Sequence, residues 1–503
     1  MPLGDKDLKK HTVPIIGASA FGYYCALSAK SWTWVFVSSD SGDWLACSNW
    51  WMVPQPYGSP LYISLARLIG LITSGNATVI TMTILLSCLP SAVTVMLVYL
   101  IVHKLTNETW PAITSALVLL GAGIFLTQST ILEEYALAIC FCTLAYWLYI
   151  NNRRMLTALA LGLGTAVHIF ILPIAVFWFA LQWREWKPWL KPAGIFVLTG
   201  ILPYSLILIL MGMDTPRLLA GGLNRQSLNE YVFGIGGTIV GNLSLFEAPY
   251  RLLAITKILL PSLGLAFVPL WYGLKRPYDT KKLVLLMIVT VSLWYHLTSL
   301  DPVSWTFIDF GLPAIAILCG IGLNKLTLKH AYAAAVGALI LMCVNGAFLN
   351  ANTLTKERPL ATTYYDELYA LPDGSVVVTN AGAYSLGLFY VMSEGKDLTP
   401  IVYPYSDTWN FPDYSDWLKD KYGIVGHDTP GLVQDALNKG YDVYFAGAKW
   451  RYSKVAQAFQ IADGDDLVRE IKGLTGLWPE DARPVESPKS YIRWNEILDG
   501  LKQ

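Results

Sequence analysis

The chain has 503 residues and no net formal charge, and only 14% of them are charged, against about 25% in an ordinary soluble protein. With 54% hydrophobic residues and a mean hydropathy of +0.44, this shortfall fits a chain that presents much of its length to lipid. The charge balance excludes the basic surface of a nucleic-acid-binding protein, and the 19 Trp and 28 Tyr suit membrane interfaces.

The first residues, MPLGDKDLKKHTVP, are basic and then apolar. No small-residue cleavage site follows cleanly, so Val13–Leu27 reads as part of a retained first helix. Apolar segments recur near 12–31, 79–102, 110–127, 131–150, 155–168, 169–183, 190–212, 252–273, 281–299, 309–325 and 330–351, about eleven in all. The stretch 155–183 could be one long helix or a hairpin turning near His168. Lys6, Lys9 and Lys10 place the N-terminus in the cytoplasm by the positive-inside rule. Arg153 and Arg154 mark one inside turn, and Arg184, Lys187 and Lys191 mark another, which requires the hairpin. Lys275, Arg276, Lys281 and Lys282 mark a third inside turn, and Lys325 with Lys329 a fourth. The segments 32–78, 128–131, 213–251, 300–308 and everything after 352 then lie outside, with 32–78 and 213–251 long enough to roof a cavity.

After about Thr353 the apolar runs shrink. SVVVT (375–379), TPIVY (399–403) and DVYFAG (442–447) read as buried strands. LVQDALNKG (432–440) and DLVREIKGL (466–474) read as helices that end at or near Gly. The predicted organisation is an α-helical polytopic membrane region over 1–352 and an extracytoplasmic α/β domain over 353–503. The seven cysteines lie mostly in apolar stretches, so neither a disulfide framework nor a zinc site is expected. Asn76, Asn107 and Asn242 head N-x-S/T sequences, of which Asn107 would face the cytoplasm.

The richest stretch is Ser38–Leu68, SSDSGDWLACSNWWMVPQPYGSPLYISLARL, directly after the first apolar segment. Asp40 and Asp43 are three apart and share a face if the backbone there is helical. They are either a solvated helix end or a general base with a second acid beside it, which could raise the base's pKa or bind a cation. Glu133 and Glu134 begin an apolar segment at the same face, either as N-terminal acids favoured by the helix dipole or as part of a polar cavity. His168 is either a satisfied core histidine or a contact for a phosphate or sugar at an outer turn. Arg217, Arg225 and Arg251 lie in or beside the second long outer loop, where a guanidinium suits a phosphate or anchors to lipid headgroups. Asp301, in SLDPVSWTFIDF, reads as a solvated turn acid or a cavity-lining one.

These residues resemble a family of multi-pass enzymes within the GT-C glycosyltransferase superfamily, which includes a protein O-mannosyltransferase of the endoplasmic reticulum and many bacterial members. The family's D-S-G-[DE] is matched at Asp40–Asp43, and its H-P-P-G-Y-P-L-[YF] reads Q-P-Y-G-S-P-L-Y at Gln55–Tyr62. Its E-V-Y-x-L looks like EEYAL at Glu133–Leu137, and its G-L-x-x-x-x-H like GLGTAVH at Gly162–His168. The opening of its outer domain looks like LPDGSVVVTN at Leu371–Asn380. Gln55 and Tyr57 replace the usual His-Pro, and Ser59 the usual Tyr, which points to a changed sugar or lipid preference. The resemblance implies a helical GT-C fold with a lipid-facing cavity, a polyprenyl- or dolichyl-phosphate sugar donor, a protein or glycan acceptor, and inversion at the anomeric carbon. By it, Asp40, or else Asp43, is the base, Glu133 positions a substrate, and His168 and an arginine face the phosphate. Most such enzymes work without metal, though some use a divalent ion. The implied location is the plasma membrane, or the endoplasmic reticulum in a eukaryote.

Two other readings fit less well. A flippase of lipid-linked sugars wants acids and broken helices near the bilayer midplane, whereas these acids gather toward one face. A non-catalytic membrane scaffold leaves the DSGD and EEYAL clusters unexplained.

Overall fold

The computed structural model describes residues 5–29, 41–50, 59–205, 259, 266–275, 279–298, 304–326, 328–349, 364–380, 383–403, 418–426, 429–446 and 468–470. Helix α1 (Asp5–Ser28) is followed by two short helices, α2 (Ser41–Asn49) and α3 (Pro60–Gly70). α4 runs unbroken over Asn76–Thr106. It widens into a π-helical turn at Thr83–Cys88, just ahead of Pro90. Proline has no N–H to donate and its ring crowds the carbonyl four residues back, and the wider turn absorbs both without a break.

Among the described residues α4 is the one continuous helix long and apolar enough to cross a membrane. α5 (Thr109–Leu120) and α6 (Gly123–Thr130) qualify only together, as a pair bent by 65°. α7 (Tyr135–Ile150), α8 (Arg154–Val167), α9 (Ile171–Leu181) and α10 (Leu190–Phe196) follow, then α11 (Phe267–Leu274), α12 (Thr280–Thr298), α13 (Leu312–Leu323) and α14 (Leu328–Leu349). The α5–α6 bend falls at Gly121, where a Cβ would come within 2.8 Å of the Met342 backbone in α14. The Gly121 carbonyl accepts a hydrogen bond from Asn345 Nδ2 at 2.6 Å, so the break leaves it satisfied.

The 155–183 stretch divides at His168. α8 ends at Val167, His168 is extended (φ −148°, ψ 123°), and α9 starts at Ile171. Pro173 then falls in the first turn of α9, where a missing N–H costs nothing. α8 lies against the π-helical segment Val197–Ile201 through Gly162, where any side chain would overlap Thr199 Oγ1 and crowd the Gly200 amide at 3.2 Å. Gly162→Ala is therefore expected to destabilise the protein by about 1–3 kcal/mol, the usual cost of overpacking, as read by denaturant unfolding in detergent. Unchanged stability would contradict the close approach.

The polar C-terminal region holds a four-stranded sheet in the order β2-β1-β3-β4. β1 (Ser375–Asn380) pairs in parallel with β2 (Leu398–Tyr403) and with β3 (Val443–Ala446), while β4 (Val468–Glu470) is antiparallel to β3. The continuous apolar run Val376–Val378 is buried on both faces, as expected of a central parallel strand. One face packs Val376, Val378 and Phe445 on Leu432 and Val433 of α16 (Thr429–Asn438). On the other, Val377 belongs to the main core together with Leu388 and Val391 of α15 (Ala383–Ser393). Gly440, at φ 78°, follows α16 in the left-handed conformation that ends a helix.

The expected helix over 466–474 is a correction, because residues 468–470 are strand β4. The short run around Val468 fits either period, and the open edge of β3 decides it by pairing Ala446 with Val468 and Tyr444 with Glu470.

Candidate active site

The short helix α2 is held at both ends. Ser41 and Trp44, three apart on one face, lie against the segment that precedes α7. Ser41 Oγ donates to the Leu132 carbonyl at 2.9 Å, and Trp44 Nε1 donates to Glu133 Oε2 at 3.3 Å. Trp44 also meets Tyr62 of α3 edge-on, with ring centroids 4.8 Å apart. At the other end Arg67 Nη1 donates to the Ser48 carbonyl at 2.8 Å and the Asn49 carbonyl at 2.5 Å. These are among the carbonyls that a helix C-terminus leaves unpaired, and a cation there also suits the dipole. Gly70 makes the approach possible, because a Cβ there would overlap the Ser48 backbone. Asn49 Nδ2 donates to Ser393 Oγ at 3.0 Å, so α15 of the sheet region bears on the same helix.

Glu133 and Glu134 are 3% and 1% exposed, so both acids at the start of α7 are turned away from open solvent. Glu134 is the N-cap residue of α7 but makes no capping hydrogen bond through its side chain. Its Oε1 lies 3.7 Å from His168 Nε2. His168 Nδ1 accepts the Phe170 amide at 3.1 Å, so in the neutral ring Nε2 carries the proton and points it toward Glu134. Tyr135, Phe307 and Phe310 surround the imidazole at centroid distances of 5.1, 5.6 and 5.7 Å. Tyr62 is fully buried, and burial, then the Glu134 and Glu133 carboxylates, push its hydroxyl well above the usual tyrosine range. It is a neutral donor at any physiological pH.

Glu133, Glu134 and His168 are thus brought together from two segments, beside the first turn of α2. Of Asp43 only the backbone is described, in that first turn next to Trp44. Asp40, Gln55, Tyr57, Arg217, Arg225 and Arg251 lie outside the described residues, as do Asp301 and Asn242. Sequence reasoning missed Trp44 and Tyr62 as partners of the acids, although both stand inside the stretch Ser38–Leu68. Arg67 gave no signal, because an arginine on a short helix reads as a surface cation. Phe307, Asp309 and Phe310 were passed over in favour of Asp301. Among the described residues no three His, Cys, Asp or Glu side chains converge as a metal site.

The same arrangement of helices recurs in ArnT from Cupriavidus metallidurans. Its crystal structure bound to undecaprenyl phosphate matches over 91% of this chain and 97% of that chain, with a TM-score of 0.62 and 12% identity. The apo structure matches over 91% and 96%, with a TM-score of 0.61 and 11% identity. The likeness at this identity is one of fold, and the fold is that of these ArnT structures. Residues 40–190 match the family model described as the protein O-mannosyl-transferase TMEM260 N-terminal domain, so a likeness to that family is carried by that stretch. The D-S-G-D, Q-P-Y-G-S-P-L-Y, EEYAL and GLGTAVH sequences all fall inside the matched stretch. Comparison with curated proteins finds no match.

Proposed function

We propose that the protein is an inverting glycosyltransferase that moves a sugar from a polyprenyl- or dolichyl-phosphate donor to a hydroxyl of an extracytoplasmic protein or glycan. The observation that carries this reading is the burial of Glu133 and Glu134 against the turn of α2 that holds Asp43. Two adjacent buried carboxyl groups are costly, and such groups concentrate where chemistry needs them. The donor's chain is held in the bilayer by about 0.8 kcal/mol per buried CH₂, so the catalytic groups must stand at headgroup depth. The fold shared with a protein that binds undecaprenyl phosphate supports that donor class.

In this account Asp40, or Asp43 beside it, takes the proton from the acceptor hydroxyl. The acceptor oxygen bonds to the anomeric carbon as the bond from that carbon to the phosphate oxygen breaks, and the lipid phosphate leaves with the bonding electrons. Arg217, Arg225 or Arg251 would neutralise its charge. Glu133, held by Trp44, would fix the sugar or acceptor, and Gln55 and Tyr57 would tune which donor is accepted. A divalent ion serving the reaction would draw on Glu133 or Glu134 with Asp40 or Asp43. Residues 1–352 would form the catalytic unit, with the N-terminus cytoplasmic, and 353–503 an outer domain that steadies α2 through Ser393.

The test is transfer of radiolabelled sugar from a panel of polyprenyl-phosphate sugars, mannose first, to peptide and glycan acceptors by the purified protein. Label in the acceptor with inverted anomeric configuration is expected. Lipid movement across vesicles without acceptor, and no transfer from any donor, would instead support the flippase.

A further inference from the structure

One buried acid is not used by the reaction above. Asp309 lies on the tight helical turn Ser304–Gly311 that leads into α13. It is 0% exposed, and neither carboxylate oxygen has a hydrogen-bond partner among the described residues. Buried polar groups are almost always paired, so an orphan of this kind calls for an explanation. Its neighbours on the turn supply one. Phe307 and Phe310 stack at 14° with centroids 6.5 Å apart, and both rings contact His168 and Tyr135. Asp309 therefore stands on the segment that walls the Glu134–His168 pair.

We propose that Asp309 accepts hydrogen bonds from ring hydroxyls of the donor's sugar and thereby makes the site prefer loaded lipid to spent lipid phosphate. The inference rests on the glycosyltransferase reading. A carboxyl group offers acceptor oxygens, and an O–H donor when protonated, which suits paired hydroxyls. The flanking phenyl rings give the apolar surface that ligand pockets combine with a few placed polar groups. An isolated carboxyl group at this depth is neutral and brings no cation to a phosphate, which assigns Asp309 to the uncharged sugar end of the donor. Once the sugar has moved to the acceptor, those hydrogen bonds are lost and the spent lipid is held less tightly.

The experiment titrates the full-length protein, in detergent, with a short-chain polyprenyl-phosphate mannose and separately with the bare polyprenyl phosphate, read by tryptophan fluorescence. The wild-type protein is expected to bind the mannose lipid more tightly. Asp309→Leu is expected to lose roughly tenfold of that preference, as for one or two net hydrogen bonds, and Asp309→Asn a part of it, with binding of the bare lipid unchanged. Ligand-free Tm should stay level or rise in both variants, because an unpaired buried acid is removed. A fall in Tm would show that Asp309 has a structural partner within the chain, and equal weakening of both lipids would show no role at the sugar; either result overturns the proposal. Wild-type protein that binds neither lipid would overturn the glycosyltransferase reading along with it.

Discussion

Asp40→Asn should lower sugar transfer about 100- to 10,000-fold while leaving the protein folded, the range expected when a general base is lost. The amide keeps the shape of the carboxylate but cannot take the acceptor's proton. Asp43→Asn is expected to fall in the same range if Asp43 shares the proton or holds the sugar, and less far if it only adds negative charge. The backbone supports either role, since Asp43 lies in the first turn of α2, and its neighbours Ser41 and Trp44 are bonded to Leu132 and Glu133. The check is kcat from a transfer assay beside an unfolding curve for each variant. Wild-type rates in both variants would show that the base is elsewhere.

Arg67→Ala has the next largest expected effect, and it acts through position. The guanidinium is part-buried and bonds two carbonyls at the end of α2, Ser48 and Asn49. Hydrogen bonds to a charged group contribute about 1.5–3 kcal/mol each, and a carbonyl left unpaired adds its own desolvation cost. Stability should fall by about 2–4 kcal/mol, and transfer should fall with it as α2 loses its hold relative to Glu133. Arg67→Lys is expected to recover part of the stability, because an ammonium is a point donor without the planar fork. The pH profile of the remaining activity should match that of the wild-type enzyme, since Arg67 moves no proton. A shifted profile would mean that Arg67 touches the reacting groups.

Much of this was legible in the sequence, for physical reasons that differ by region. Strands β1, β2 and β3 were readable because each is a short apolar run bounded by turn residues, and a central parallel strand must be apolar on both faces. The break at His168 was readable from charge, since arginines and lysines at both ends of 155–183 require the chain to turn between them. β4 was misread because a short run has no period of its own, and only its neighbour in the sheet settles it. Helix lengths were less legible. α5 and α6 read as one apolar segment, and the bend between them depends on Met342, more than 200 residues away. In the candidate site, Glu133, Glu134 and His168, which the structure brings together, stood out in advance because acids and a histidine are conspicuous among apolar residues. Their partners could not, because Trp44, Tyr62 and Arg67 act by tertiary contact, and such residues are common in any membrane protein.

The central claim is tested most directly by an experimental structure of the full chain with a polyprenyl phosphate bound. The account predicts the phosphate between the start of α2 and the Glu133–Glu134 and His168 segments, with Asp40 or Asp43 facing the position of the departed sugar. A headgroup lodged away from these residues, or acids turned to bulk solvent beside an empty wall, would contradict it.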